Sequence, residues 1–240
     1  MNQTLTLSAL QQGTLHLEGQ FIYGSNYTFM VLCQHSGETL KTVYKPLRGE
    51  RPLPDFPIST LARREVAAYR VSEALGWGLV PPTIFRVKGA PLGPGSLQLF
   101  IDHDPEHHYF NFNQKQRIHL PRVMLFDILI NNADRKAGHL LISLEGQLFL
   151  IDHGLSFHTE DKLRTVVWDY AGQLIPPELC LDLARVVPEA SPGGSLFSAL
   201  RPHLQPDEIA ALQTRGQALL DRGQFPLPPE DRRAYPWPLV

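Results

Sequence analysis

Between Asn131 and Gly154 the chain reads NNADRKAGHLLISLEGQLFLIDHG, with two aspartates, a histidine, an arginine and a lysine set around a short apolar hairpin. If Glu145-Gly146 is a two-residue turn, Leu144 pairs with Gln147, Leu140 with Ile151, and His139 with Asp152. Both faces of such a hairpin are apolar, so its middle is buried and its open end meets solvent. Asp134, on the loop leading in, then joins His139 and Asp152 at one rim, with Arg135 and Lys136 beside them. Phosphoryl transfer needs these residue types. Cations offset phosphate charge, carboxylates hold a divalent metal, and one carboxylate orients an attacking hydroxyl.

The first half supplies the complement. Lys45 ends the apolar strand of VYKP, and a lysine buried there needs a partner, because an unpaired buried ammonium is costly. Glu65, about a turn into the following helix, is the candidate. The turn Gly24-Ser25-Asn26 joins two strands and can aim backbone N–H groups at an anion.

The elements that must position these residues divide at about residue 102. GTLHLEGQFI (13–22) alternates as a half-buried strand. TFMVLCQ (28–34) and TLKTVYKP (39–46) flank HSGE as a hairpin, and VPPTIFRVKG and GSLQLFID add two strands. A helix runs from about Leu61 to Leu75, capped by Ser59 or Thr60 and ended by Gly76. It is the one helix expected in this half. HLPRVMLFDILINN (119–132) is a buried helix whose lone Asp127 is expected to accept hydrogen bonds from the loop backbone after it. LCLDLARVV and DEIAALQTRGQALLDR are helical, and a Pro-rich tail closes the chain, docked or frayed. The reading is α+β with two lobes, 1–102 rich in strands and 103–240 helical, and a ligand cleft between them.

Composition narrows the partners. The 240 residues carry 22 Lys and Arg against 24 Asp and Glu, so no basic field is available for nucleic acid. No apolar run approaches the roughly 18 residues of a membrane span. No signal peptide is apparent, and Cys33 and Cys180 show no paired or metal-type spacing. A cytoplasmic protein with ordinary thiols is expected. Asp102-His103-Asp104-Pro105-Glu106-His107-His108 raises a second possibility, a zinc-dependent hydrolase on His103, His107 and His108. Pro105 argues for a loop there instead.

The stretches GSNYTFMV, VYKP, REVAAYRVSEALGWGLVPPT, GSLQLFID, NNADRKAGHLLI and LIDHGLSF together resemble the phosphatidylinositol 3-/4-kinase branch of atypical kinases, most closely the type II phosphatidylinositol 4-kinases. The likeness covers roughly residues 20–160, and it extends to an uncharacterised bacterial kinase-like group. It implies a two-lobed kinase-like fold and an ATP-dependent phosphotransferase with a hydroxyl acceptor, whether a phosphoinositide-type lipid, a protein or a small molecule. By position, Lys45 would contact the nucleotide phosphates and Glu65 would hold Lys45. Ser25 and Asn26 would cover the phosphates. Gln98 to Ile101 would form the hinge strand, with backbone groups near Phe100 and Ile101 reading adenine. Asp134 would orient the acceptor, Arg135 or Lys136 would offset charge, and Asp152 would bind Mg²⁺. The family pattern Asp-Arg-x-x-x-Asn ends here in His139, and imidazole suits softer metals than Mg²⁺. His139 therefore points to Mn²⁺ use, to a direct contact with phosphate or to a single metal held by Asp152, and it keeps open a nucleotide-binding regulatory module without efficient transfer.

Overall fold

The computed structural model describes residues 3–21 and 27–240. The turn carrying Ser25 and Asn26 lies outside the described residues. Five antiparallel strands, β1 (Thr14–Gln20), β2 (Phe29–His35), β3 (Glu38–Pro46), β4 (Thr83–Arg86) and β5 (Gly95–Leu99), form one sheet in the order β1-β2-β3-β5-β4. Ser36 and Gly37, with φ of 51° and 84°, make the two-residue turn of the β2–β3 hairpin. Both central residues of that turn type need positive φ.

Three expectations for this half change, two of them before β2. The segment before β1 is a helix, α1 (Gln3–Gln12), which buries Thr6, Ala9 and Leu10 and packs on β4 and β2. Its polar sequence carries too weak an apolar stripe to announce itself, and tertiary packing decides it. β1 is not half-buried. It is the sheet edge, Leu17 is 47 % exposed, and only Leu15 on this strand joins the core.

α2 (Leu61–Leu75) follows the loop after β3. Thr60 occupies the N-cap position without a capping bond from its side chain, and Ser59 sits outside at a φ of 64°. The carboxylate of Glu50 reaches in from the loop and accepts from Ala62 N at 2.8 Å, so it replaces the expected local cap. Gly76 ends the helix at a φ of 72°.

The helical half holds the short α3 (Gln114–Arg117), α4 (Leu120–Ile130), α5 (Pro177–Val186), α6 (Ser195–Leu200) and α7 (Pro206–Arg222), with a small hairpin, β6 (Leu140–Ile142) and β7 (Leu148–Leu150). α4 is apolar all round because it is surrounded: Leu120, Val123, Met124, Leu125 and Phe126 are all fully buried. The main apolar core runs from the inner face of α2 through α4 to α7, while the sheet keeps a smaller cluster around Phe29, Val31, Tyr44 and Leu97. The Pro-rich tail is docked. Ala234 O accepts from Thr165 N and from Trp168 Nε1, and Leu239 O accepts from Ala137 N at 2.8 Å. Among the described residues no helix is long and apolar enough to cross a membrane.

The β6–β7 register is one residue off the expected one. Leu140 pairs with Leu150 and Ile142 with Leu148, and Ser143 N donates to Gln147 O at 2.8 Å. The loop is therefore three residues, Leu144-Glu145-Gly146, with Gly146 at a φ of 86°. A three-residue loop with glycine in the left-handed position is the next most common hairpin connection after the two-residue one. His139 consequently lies opposite Ile151 rather than Asp152, with Ile151 N donating to His139 O at 3.1 Å.

Candidate active site

A cavity of about 570 Å³ lies between the sheet and the helical half, walled by β3, α2 and β5 on one side and by residues 134–155 on the other. Lys45, Glu65, Gln98, Phe100, Ile101, Asp134, His139 and Asp152 all line it.

Lys45 reaches the cavity from the end of β3. Its ammonium contacts Glu65 of α2 and sits 2.9 Å from Asp152 Oδ1. Burial opposes the charge, but Asp152 and Glu65 outweigh it and hold Lys45 above the ordinary lysine range. Lys45 in turn holds Asp152 well below the usual carboxylate range. Burial would push Glu65 up; Lys45 overrides it, and the group falls to about 2. Glu65 Oε2 also accepts from His153 N at 2.9 Å, which ties α2 to the residue after Asp152. His153 itself is buried beneath the site with its ring edge-on to Phe126, and burial holds it below the ordinary histidine range.

Asp152 has a φ of 60°, a left-handed conformation that few side chains other than Asn and Asp adopt readily. Strain of this kind gathers at functional positions. The one-residue register shift does not part the expected pair, because this turn of the backbone swings Asp152 back: its Oδ2 lies 3.5 Å from His139 Nε2. Burial drops His139 to about 4, so the imidazole is neutral at neutral pH; its Nδ1 accepts from Lys136 N at 3.4 Å, which leaves the ring proton on Nε2, facing Asp152.

The loop carrying Asp134 is fastened by residues whose roles were hidden in the sequence. Asn131 ends α4 at a φ of 54°, and its side-chain amide donates to His158 O and Glu160 O at 2.8 and 2.7 Å. Asn132 Oδ1 accepts from Asp134 N at 3.0 Å, and Asn132 Nδ2 donates to Asp127. Burial raises the Asp134 carboxyl above its ordinary range against the pull of Lys136, whose ammonium stands 3.3 Å away, and of Arg164. Arg164 is a further cation here that no motif had marked.

Three expected roles change. Arg135 cannot face a transferred group: it is fully buried, donating from Nε to both oxygens of Asp127 and from a terminal nitrogen to Ile151 O at 2.8 Å. It is a positioning residue, and of the basic pair only Lys136 lines up with Asp134. Asp127 is engaged by the side chains of Arg135, Asn132 and Thr165 rather than by loop backbone N–H groups. At the hinge, the Phe100 N–H is spent on Lys41 O and cannot read adenine, while the Gln98 side chain turns away to donate to Thr83 Oγ1 at 2.8 Å.

The histidine-rich loop offers no joint site. His103 donates from Nδ1 to Ile101 O, His107 stacks on Phe112, and His108 meets Phe110 edge-on. Among the described residues no group of three or more His, Cys, Asp or Glu is arranged to hold a metal ion. Glu50, which the sequence reading missed, lines the cavity with one carboxylate oxygen buried and unbonded within the described residues. Burial raises it.

Comparison with known proteins bears on this geometry. The family model for phosphatidylinositol 3- and 4-kinase matches residues 58–200. Protein Rv2133c of Mycobacterium tuberculosis (strain ATCC 25618 / H37Rv) is 39 % identical over 96 % of this chain and 94 % of its own length. Phosphatidylinositol 4-kinase gamma 4 of Oryza sativa subsp. japonica is 28 % identical over 72 % of this chain, which spans only 36 % of that longer protein. Among solved structures, the Golgi casein kinase with Mn and ADP bound superposes with a TM-score of 0.60 at 16 % identity, covering 91 % of this chain and 74 % of that one. That likeness establishes the two-lobed, kinase-like α+β fold. The chain belongs to the phosphatidylinositol 3- and 4-kinase family.

Proposed function

We propose that the protein binds ATP with a divalent cation in the interlobe cavity and transfers the γ-phosphoryl group to a hydroxyl acceptor, with residues 1–102 and 103–240 acting as the two lobes. One observation carries this reading: the Lys45 ammonium stands between Glu65 and Asp152 in the same cavity that Asp134 lines. Glu65 keeps Lys45 charged and aimed, so it can meet phosphate oxygens when Asp152 turns to another cation. Asp134, raised by burial, is a better proton acceptor than an ordinary carboxylate and is suited to orient the acceptor hydroxyl and take its proton. Lys136 offsets charge beside it.

Asp152 and His139 would hold the metal. One carboxylate and, with its ring proton moved from Nε2, one neutral imidazole would fit Mn²⁺ better than Mg²⁺, because nitrogen is a poor ligand for the harder ion. A cation held there supplies charge neutralisation to the polyphosphate.

The test is γ-phosphate turnover with Mg²⁺ and with Mn²⁺, across phosphoinositide, protein and small-molecule acceptors. Asp134→Asn lowers turnover about 10²–10⁴-fold and leaves nucleotide affinity nearly unchanged. Equal turnover in parent and variant removes the role. His139 in the asparagine position favours one other reading, a nucleotide-binding regulatory module. Tight nucleotide binding with no turnover in either metal decides for it.

A further inference from the structure

A second cavity, of about 460 Å³, lies on the far side of the helical half, between α7, the segment 159–168 and the docked tail. Its walls are apolar, from Ile128, Leu163, Trp168, Leu219 and Leu227. Its charged lining is unbalanced: Arg215, Arg222 and Arg232 face a single carboxylate, Asp161. Asp161 is already engaged, with Arg232 Nη2 at 2.5 Å. Arg215 is spent on carbonyls, donating from Nε to Leu129 O at 3.0 Å and from Nη1 to His158 O at 3.2 Å. Its third nitrogen, Nη2, is buried and has no hydrogen-bond partner among the described residues. Burial lowers Arg215 to about 10, with Asp161 pulling the other way, and the group still carries its charge at neutral pH.

An apolar chamber edged by excess guanidinium charge is complementary to an apolar chain ending in an anion. The apolar walls favour the chain by removing its surface from water, at about 25 cal/mol per Å². Arg215 Nη2 is closed even to water, so a carboxylate would be met at the edge by Arg222 and by Arg232 beside Asp161, in the planar geometry guanidinium groups favour. We infer that this cavity is a binding site for a long-chain carboxylate, separate from the interlobe cavity. No residue lines both. Because Arg215 also ties Leu129 of α4 to His158, an occupant here rests on the connection between α4 and the segment beyond Asp152.

The experiment titrates the full chain with dodecanoate, following heat by calorimetry and Trp168 by fluorescence against a Trp168→Phe control. Saturable one-site binding is expected, undiminished by a saturating non-hydrolysable ATP analogue. Ala218→Trp, which fills the chamber from α7, and Arg222→Glu, which reverses one edge charge, each weaken binding roughly tenfold or more, about 1.4 kcal/mol. Folding of both is checked by circular dichroism. If Ala218→Trp fails to fold, Leu227→Trp takes its place, and hydrogen exchange on the unaltered protein shows protection of 206–232 on adding dodecanoate. Absence of saturable binding, competition by the ATP analogue, or equal affinity for the uncharged dodecanol each overturns the assignment.

Discussion

Two acid–base pairs flank the candidate active site, and they differ in a way that separates building from doing. Asp127 and Arg135 are both fully buried, and each is further held, Asp127 by Asn132 and Thr165 and Arg135 by Ile151 O. Lys45 and Asp152 are 24 % and 50 % exposed by side chain, and they meet at the wall of a cavity. The buried pair has no route to exchange its partner, so it can only fix the loop that presents Asp134. The half-exposed pair can exchange, so an incoming anion can take Lys45 and an incoming cation can take Asp152. Lys45 belongs to both classes, because its other partner, Glu65, is almost wholly buried.

The comparison breaks first at the buried pair. Asp127→Ala leaves the Arg135 guanidinium uncompensated in the core and is expected to cost about 3–5 kcal/mol of folding stability. A denaturant titration measures it. The double variant Asp127→Leu with Arg135→Met recovers a large part of the loss, since an apolar pair of similar volume is often neutral to stability. Additive losses in that cycle would show that the two residues act separately.

Asp152→Asn, which keeps a side chain that tolerates the left-handed backbone and removes the charge, tests the other side. Stability shifts by no more than about 1 kcal/mol, as for other exposed pairs. Turnover in the assay above falls about 10²–10³-fold, the scale of removing one preorganised electrostatic contact. A stability loss matching that of Asp127→Ala would erase the distinction between the pairs. Lys45→Ala sits between them. Losing a charge-assisted contact to phosphate is worth about 1.5–3 kcal/mol, so nucleotide affinity drops roughly 10- to 150-fold. The stranded Glu65 adds a stability loss. Unaltered affinity for ATP in this variant would detach Lys45 from the phosphates.

The buried partner of Lys45 was legible in the sequence; that of Arg135, and the contact of Lys45 with Asp152, were not. A lysine closing an apolar strand and a glutamate a turn into the next helix leave few partners for each other, so burial cost alone points to Lys45 and Glu65. Arg135 reads as a cation on a polar loop. Only the fold shows that the loop doubles back over α4 and buries it against Asp127. The hairpin offers the same lesson at smaller scale. Glu145-Gly146 permits both a two- and a three-residue loop, and a short apolar pairing has no polar face to choose between them. His139 and Asp152 still meet, because the left-handed backbone at Asp152 makes up the missing step. α1 and the capping by Glu50 were invisible for a shared reason: both depend on contacts with residues far along the chain.

His203 sharpens the comparison with the smallest effect. Like Lys45 it is a basic side chain taken largely out of water, but no carboxylate faces it. Burial, with Arg70 and Arg63 nearby, lowers it to about 4, and its Nδ1 has no partner among the described residues. Unfolded, this group takes up a proton near its ordinary value of 6.5; folded, it refuses one until about 4. Stability is therefore lost as pH falls from about 6.5 to 4, by at most roughly 1.4 kcal/mol per pH unit and by less where solvent screens the charge. His203→Gln removes that slope, so the difference in unfolding free energy between parent and variant narrows or reverses in the variant's favour as the buffer is taken from pH 7 to 5. Two parallel curves would mean that His203 gains its proton in the fold as readily as outside it, and that burial without a carboxylate does not discharge a basic group at this position.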